Sequence, residues 1–348
     1  MSRAGIWRGF AGLRQLGSRW RFRAWWWRRG GICLYNREIE GHSLWAWAAA
    51  AFSAPAAQFL GSTPWHWTLF LGLAAAGIWL CVEAGTVYGR RDWKPVAVLQ
   101  ILFLAFAVSA AAGWSGDCWP TARQGWAIPV VLLVLSACAA ERGCRTGARC
   151  GAVVFWCLVL LFAVLVAFAV PEVKWQNLRP ENRGDSGTAA AIMLLPAAAA
   201  LLPRRKGRSP WLWGLGLAVA GAGVSLLTAG VLSQAVAVHT QGAFFEMIRG
   251  ISILGVAERF EAVVAAAMTL GWFCLLSLLL TGAGHLGETL HPGWGRPTVW
   301  LTTLAAALGL PWARGVSPWL SALGALVLWC LLPLLARKSE PVEKKKKK

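Results

Sequence analysis

The chain has 348 residues, 57% of them hydrophobic, and a net charge of +19. A soluble domain carries about 45–50% apolar residues, so the composition excludes an ordinary soluble globular protein and points to one that lives in a bilayer. The basic residues are clustered at intervals rather than spread, which weakens a nucleic-acid reading and fits a topology signal.

Residues 1–42 are rich in Arg, carry no acid before Glu38, and interleave Trp7, Phe10, Trp20, Phe22 and Trp25 to Trp27 with the guanidinium groups. Such a stretch reads either as a segment lying at the headgroup interface or as an extension without regular structure. It lacks the uninterrupted apolar core of a signal peptide. Apolar runs separated by short polar joints follow. They predict ten helices, over 44–60, 66–87, 96–114, 125–140, 152–170, 188–203, 211–238, 257–281, 298–312 and 317–336, most of them near the length that spans hydrocarbon. The expected fold is therefore an all-α polytopic membrane protein, with one membrane domain over residues 43–336 and a polybasic tail over 337–348.

Arg90, Arg91 and Lys94, then Arg142, Arg145 and Arg149, then Arg204, Arg205, Lys206 and Arg208, then Arg296 and the tail fall at alternate joints. Because positive residues stay inside, both termini are expected in the cytoplasm. The basic termini are expected to touch anionic lipid. Pro55, within Ser53-Ala54-Pro55, removes a backbone donor from predicted helix one, and Pro196 does the same in helix six. Interruptions five helices apart suggest a five-plus-five inverted repeat whose broken helices one and six line a binding site. In helix seven, Gly216/Ala220 and Gly221/Ser225 have the spacing of small residues at a close helix contact. The outer joint 171–187 reads as a solvated loop, with a lid as the alternative.

Catalytic chemistry is not expected. The five His residues stand apart, the nine Cys form no Cys-x-x-Cys pair, and no phosphate-binding or hydrolase motif occurs. No enzyme activity, metal or cofactor is predicted. The distinctive stretch is Ala243–Gly284, which sets Glu246, Arg249, Glu258, Arg259 and Glu261 against a long apolar run. Charges at a membrane edge need water, partners or a function, so these five are expected to form an ion-pair junction or an outer gate.

The run FFEMIRGISILGVAERFEAVV, opening a long apolar helix, resembles the spore germination permease family. That family supplies the B subunit of endospore germinant receptors and belongs to the amino acid–polyamine–organocation superfamily. Glu246, Arg249, Ile251, Ser252, Ile253, Glu258 and Arg259 fall at the family's places. Leu194-Leu195-Pro196 and Pro203-Arg204-Arg205-Lys206 resemble the end of its sixth helix. Three places differ: Ser53 to Ala57 stands where the family has a Gly-rich break, Gly187-Thr188 where it has Gly-Glu, and Ala243 where it has Pro.

The resemblance implies a bacterial spore inner-membrane subunit that binds a small nutrient such as an amino acid and signals germination. It implies partners of two kinds, an A-type membrane subunit and a C-type lipoprotein. It also implies a ligand site at Ser53, Ala54, Pro55, Gly187 and Thr188. Two alternatives stay open: an amino-acid secondary transporter of the same fold, and a structural membrane subunit without ligand. Predicted helices one, three, five, six, seven, nine and ten contain no acid, which favours sensing over proton-coupled transport.

Overall fold

A bilayer offers no water to satisfy backbone polar groups, so an apolar chain of this kind closes its hydrogen bonds within helices. The computed structural model describes residues 41–61, 63–85, 94–118, 126–178, 186–201, 210–240, 242–250, 260–313, 315–332 and 335. Most of the 1–42 extension, the 337–348 tail, Glu258 and Arg259 lie outside the described residues. So do the side chains of Glu83, Arg249 and Glu261. Among the described residues there is no strand.

Helix α1 (Gly41–Pro55) passes directly into a π-helical stretch (Ala56–Leu60). Then come α2 (Trp65–Gly85), α3 (Lys94–Ser115), α4 (Ala127–Glu141), α5 (Cys144–Ala169), α6 (Ser186–Leu201) and α7 (Pro210–Leu232). After two short helices, α8 (Gln234–His239) and α9 (Ala243–Gly250), come α10 (Phe260–Leu290), α11 (Gly295–Ala313) and α12 (Pro318–Leu326), which ends in a second π-helical stretch (Val327–Leu331). Every predicted apolar segment thus holds a helix. Among the described residues, four spans are long and apolar enough to cross a membrane: Lys94–Ser115, Cys144–Glu172, Gly214–Leu232 and Ala262–Leu290.

The 31-residue α10 is the axis of the bundle, packing on α1, α3, α4, α5 and α11. Around it the core is largely Ala and Leu, punctuated by the fully buried Trp47, Trp272 and Trp329. Small residues set the closest approaches. A Cβ at Gly147 would lie 2.7 Å from Trp47 Cη2, so Gly147 and Gly151, one turn apart on α5, form the socket for that indole of α1. On α2, a Cβ at Gly72 would lie 2.6 Å from Ala218 Cβ of α7.

The structure departs from the predicted elements in four places. Predicted helix seven is split. Ser233 takes φ 75°, ending α7 at Leu232, in backbone space that a side chain rarely occupies. The freed carbonyl of Gly230 accepts hydrogen bonds from Lys174 N (3.0 Å) and Asn177 Nδ2 (3.0 Å). Joint residues 170–178 thus form docked 3₁₀ turns on the end of α7 rather than a wholly solvated loop. Helix eight (α10) continues past residue 281, because Gly284 and Gly287 lie flush against α11 instead of ending the helix; a Cβ at Gly284 would sit 2.9 Å from Val299 Cγ2. Helix six is unbroken across Pro196. In helix seven one of the two predicted small-residue pairs differs: Gly221 and Ser225 meet the end of helix one as expected, but Gly216 and Ala220 line an open groove, and Gly214 and Ala218 make the contact with α2.

Candidate functional site

Proline at position 55 has no N–H, and its ring crowds the preceding turn. Helix one answers with a shift of hydrogen-bond register to i→i+5 rather than with an unwound segment, and such π-helical stretches are frequent at functional sites. Pro55 itself keeps helical angles, φ −58° and ψ −41°. The expected break in helix one is therefore present as a π-helical end, residues 56–60, not as extended chain.

Five elements converge on this stretch. From α7, Ser225 Oγ donates to the Leu60 carbonyl at 2.7 Å. From α6, the backbone of Gly187 passes so close that a Cβ there would lie 2.9 Å from Phe59 O and 3.2 Å from Thr63 Oγ1. From α9, Phe244 covers Gly61, whose added Cβ would meet Phe244 Cβ at 3.1 Å. From α3, Trp114 stands edge-on to Phe59 at 4.9 Å between ring centroids. From α10, Gly271 abuts Ala54 and Ser53, and Trp272 lies edge-on to Phe59 at 6.4 Å.

The predicted ligand residues are thus drawn to one hub but not to one surface. Ser53 lies about 9 Å along the helix from Phe59, by helical rise, and its hydroxyl donates to Ala50 O at 2.7 Å. Ala54 and Pro55 are buried. Gly187 and Thr188 open α6 and are fully buried at the far end of the same stretch.

Among the predicted junction residues, Glu246 and Arg249 stand three apart on α9, and Glu261 is in the first turn of α10. Helix α9 is amphipathic. Ala243, Phe244, Met247 and Ile248 are buried against the hub, while Glu246 is half-exposed. The stretch singled out by its charges is therefore two elements, a short covering helix and a long axial one.

Sequence reasoning passed over Trp272. Its ring is fully buried, and among the described residues its indole N–H has no hydrogen-bond partner. An unsatisfied buried donor is costly and calls for an explanation. In a chain with 24 Trp, residue type alone could not single it out. The signal was Gly271 beside it, a glycine where α10 meets Ser53 and Ala54 of helix one.

The opposite end of the bundle holds a second polar set. Glu288 accepts hydrogen bonds from the backbone of Gly293 (3.0 Å) and Gly295 (3.2 Å), capping α11. Glu141 lies 3.7 Å from Arg296 and accepts from Trp300 Nε1 at 3.3 Å. The set ties α4, α10 and α11 together. Among the described residues, no cluster of His, Cys, Asp and Glu has the form of a metal site.

No family model and no curated protein matches the chain.

Proposed function

We infer that the chain is a membrane protein of two inverted five-helix repeats that binds a small nutrient, in the first instance an amino acid, beside the π-helical end of helix one, and that it serves as the membrane subunit of a spore germinant receptor. The packing partners support the repeat. Taking the ten predicted helices in order, helix two packs along seven and three along eight. Helix one packs on five as six packs on ten, and three packs on nine as four packs on eight. Each of these pairings maps onto itself or onto another when every index shifts by five. Five is odd, so equivalent helices cross the membrane in opposite senses.

The observation that carries the binding site is the unbonded indole N–H of Trp272, buried beside Phe59 where helices one, six, seven and three converge. A carboxylate would satisfy that donor. Recognition through helix ends and an unpaired N–H needs no ionisable group, in keeping with predicted helices one, three, six and seven, which carry none. A ligand that holds α9 and α6 against helix one more tightly in one arrangement shifts the balance between two arrangements, and partner subunits of the A and C types would read that shift. The reading places the protein in the bacterial spore inner membrane with both termini in the cytoplasm.

The test is a thermal-shift and calorimetric screen of L-amino acids on the purified protein. One or more should bind, and Trp272→Phe, which keeps the ring and deletes the N–H, should weaken that ligand about 10- to 150-fold, the worth of one hydrogen bond to a charged group. Equal affinity for Trp272→Phe and wild type would sink the site. Saturable uptake of the ligand into proteoliposomes would replace the sensor with a transporter.

A further inference from the structure

A cavity of about 1010 Å³ runs along α1 between α5 and α7, at the top of the roughly 300–1,000 Å³ range of ligand sites. Its floor is small and apolar: Ala49, Ala50, Ala152, Gly216 and Ala220. Among the described residues that line it, apart from two tryptophans, the only polar side chains are Ser43 at one end and Ser53 towards the other. The rim on α5 is open, with Trp156 67% and neighbouring Leu160 69% exposed. Because α5 is among the four spans apolar enough to cross a membrane, the groove opens sideways at hydrocarbon depth, where the surrounding solvent is acyl chain.

One end of the groove is charged. Residues 145, 149, 152, 156, 159 and 163 recur at helical spacing and share one stripe of α5. Ala152, Trp156, Val159 and Ala163 of that stripe line the cavity, and Arg145 and Arg149 continue it as exposed residues. Trp47 seated on Gly147 and Gly151 fixes the level: Arg145 and Arg149 fall at the height of the start of α1, the end of the cavity that Ser43 lines. Both belong to a joint expected on the cytoplasmic side, the leaflet surface that carries anionic lipid.

We propose that this groove is a binding site for one bilayer phospholipid with an anionic headgroup, its phosphate held by Arg145 and Arg149 and an acyl chain laid between α1, α5 and α7. The groove reaches the hub at Ser53, Ala56, Ala57 and Phe244, but neither Phe59 nor Trp272 is among its lining residues, and the lipid proposal does not rest on the nutrient reading. Two basic residues near a headgroup, each worth about fivefold, predict roughly 30-fold preference for anionic over zwitterionic lipid.

Native mass spectrometry of the full-length protein, exchanged from detergent into equal amounts of phosphatidylglycerol and phosphatidylcholine, reads this directly. Wild type should retain one phosphatidylglycerol with that preference. Arg145→Gln with Arg149→Gln should retain lipid but lose the preference to within about twofold. Gly216→Phe should lower retention of both lipids about tenfold. A Cβ at Gly216 meets nothing within 4 Å, so the ring fills the groove and not the core. Ala220→Phe replaces it if that variant does not fold. A wild type indifferent to headgroup, an unchanged preference in the double Gln variant, or full retention in the filled variant would each overturn the proposal. Amino-acid binding is measured on the same samples, so failure of the lipid site and failure of the nutrient site are read separately.

Discussion

The junction of α1 and α5 makes a prediction whose sign depends on a single side chain. Gly147→Ala adds a methyl group where Trp47 Cη2 and Cζ2 lie 2.7 and 2.8 Å away. Trp47 is 1% exposed, so the ring cannot retreat into solvent, and overpacking of this kind costs about 1–3 kcal/mol. Replacing a helical Gly returns up to about 1 kcal/mol of backbone entropy. The net effect is a loss of about 0–3 kcal/mol. In a Trp47→Leu background the indole atoms are gone and only the entropic gain remains, so the same Gly147→Ala change becomes neutral or stabilising. The coupling energy should be about 1–3 kcal/mol. The assay is a double-mutant cycle on the purified protein, with unfolding followed by circular dichroism against denaturant in mixed micelles. Independent sites add within about 0.3–0.5 kcal/mol. A coupling energy inside that margin would refute the account of Gly147 as the socket for Trp47 and, with it, the register of α1 on α5.

Two further predictions concern helix ends. Ser233→Gly should raise stability by about 1 kcal/mol or more, because φ 75° strains a side chain and not Gly; a lower unfolding midpoint would contradict the observed break between α7 and α8. Glu288→Ala should cost about 1–3 kcal/mol by removing the acceptor of the Gly293 and Gly295 amides. Hydrogen exchange should rise at those amides first, whereas uniform loss of protection along α11 would show that the carboxylate is not a local cap.

The helices were legible because each apolar run is bounded by polar joints and lipid leaves the backbone no alternative to helix. The interior breaks were less so. Pro55 announces an irregularity, but whether a helix answers with a kink or a π-helical turn depends on which donors the surrounding helices offer its carbonyls. Here the Leu60 carbonyl finds Ser225, 165 positions later. Pro196 gives the same sequence signal, yet α6 runs through it. Ser233 gives no signal at all. The Gly230 carbonyl three residues before it accepts from Lys174 and Asn177, residues of a joint that reads as solvent-facing. The charged run from Glu246 reads as one junction from sequence, because spacing cannot reveal that Ala243–Gly250 lies over Gly61 while Phe260–Leu290 forms the axis of the bundle. Trp272 was hidden for a different reason: an unbonded N–H is a property of the environment, not of the residue.

The packing of the outer helices can be tested without any ligand. Cys81 on α2 and Cys330 in the π-helical stretch after α12 come from distant parts of the chain, and the two elements that carry these free thiols pack against each other. Copper–phenanthroline under air is the oxidant. Two thiols lose two protons and two electrons to copper and finally to oxygen, forming one sulfur–sulfur bond. With a protease site placed in the 204–209 joint, oxidation followed by cleavage should leave the two halves joined on a non-reducing gel, and dithiothreitol should separate them. Cys81→Ser or Cys330→Ser should abolish the link, while Cys138→Ser, on the exposed face of α4, should not. Because α2 belongs to the first set of five helices and the Cys330 stretch closes the second, the bond forms only if the two halves are interleaved. Efficient linkage in wild type but also in Cys330→Ser would show that another thiol reaches Cys81 first. Separate halves in oxidised wild type would mean that helices two and ten do not meet.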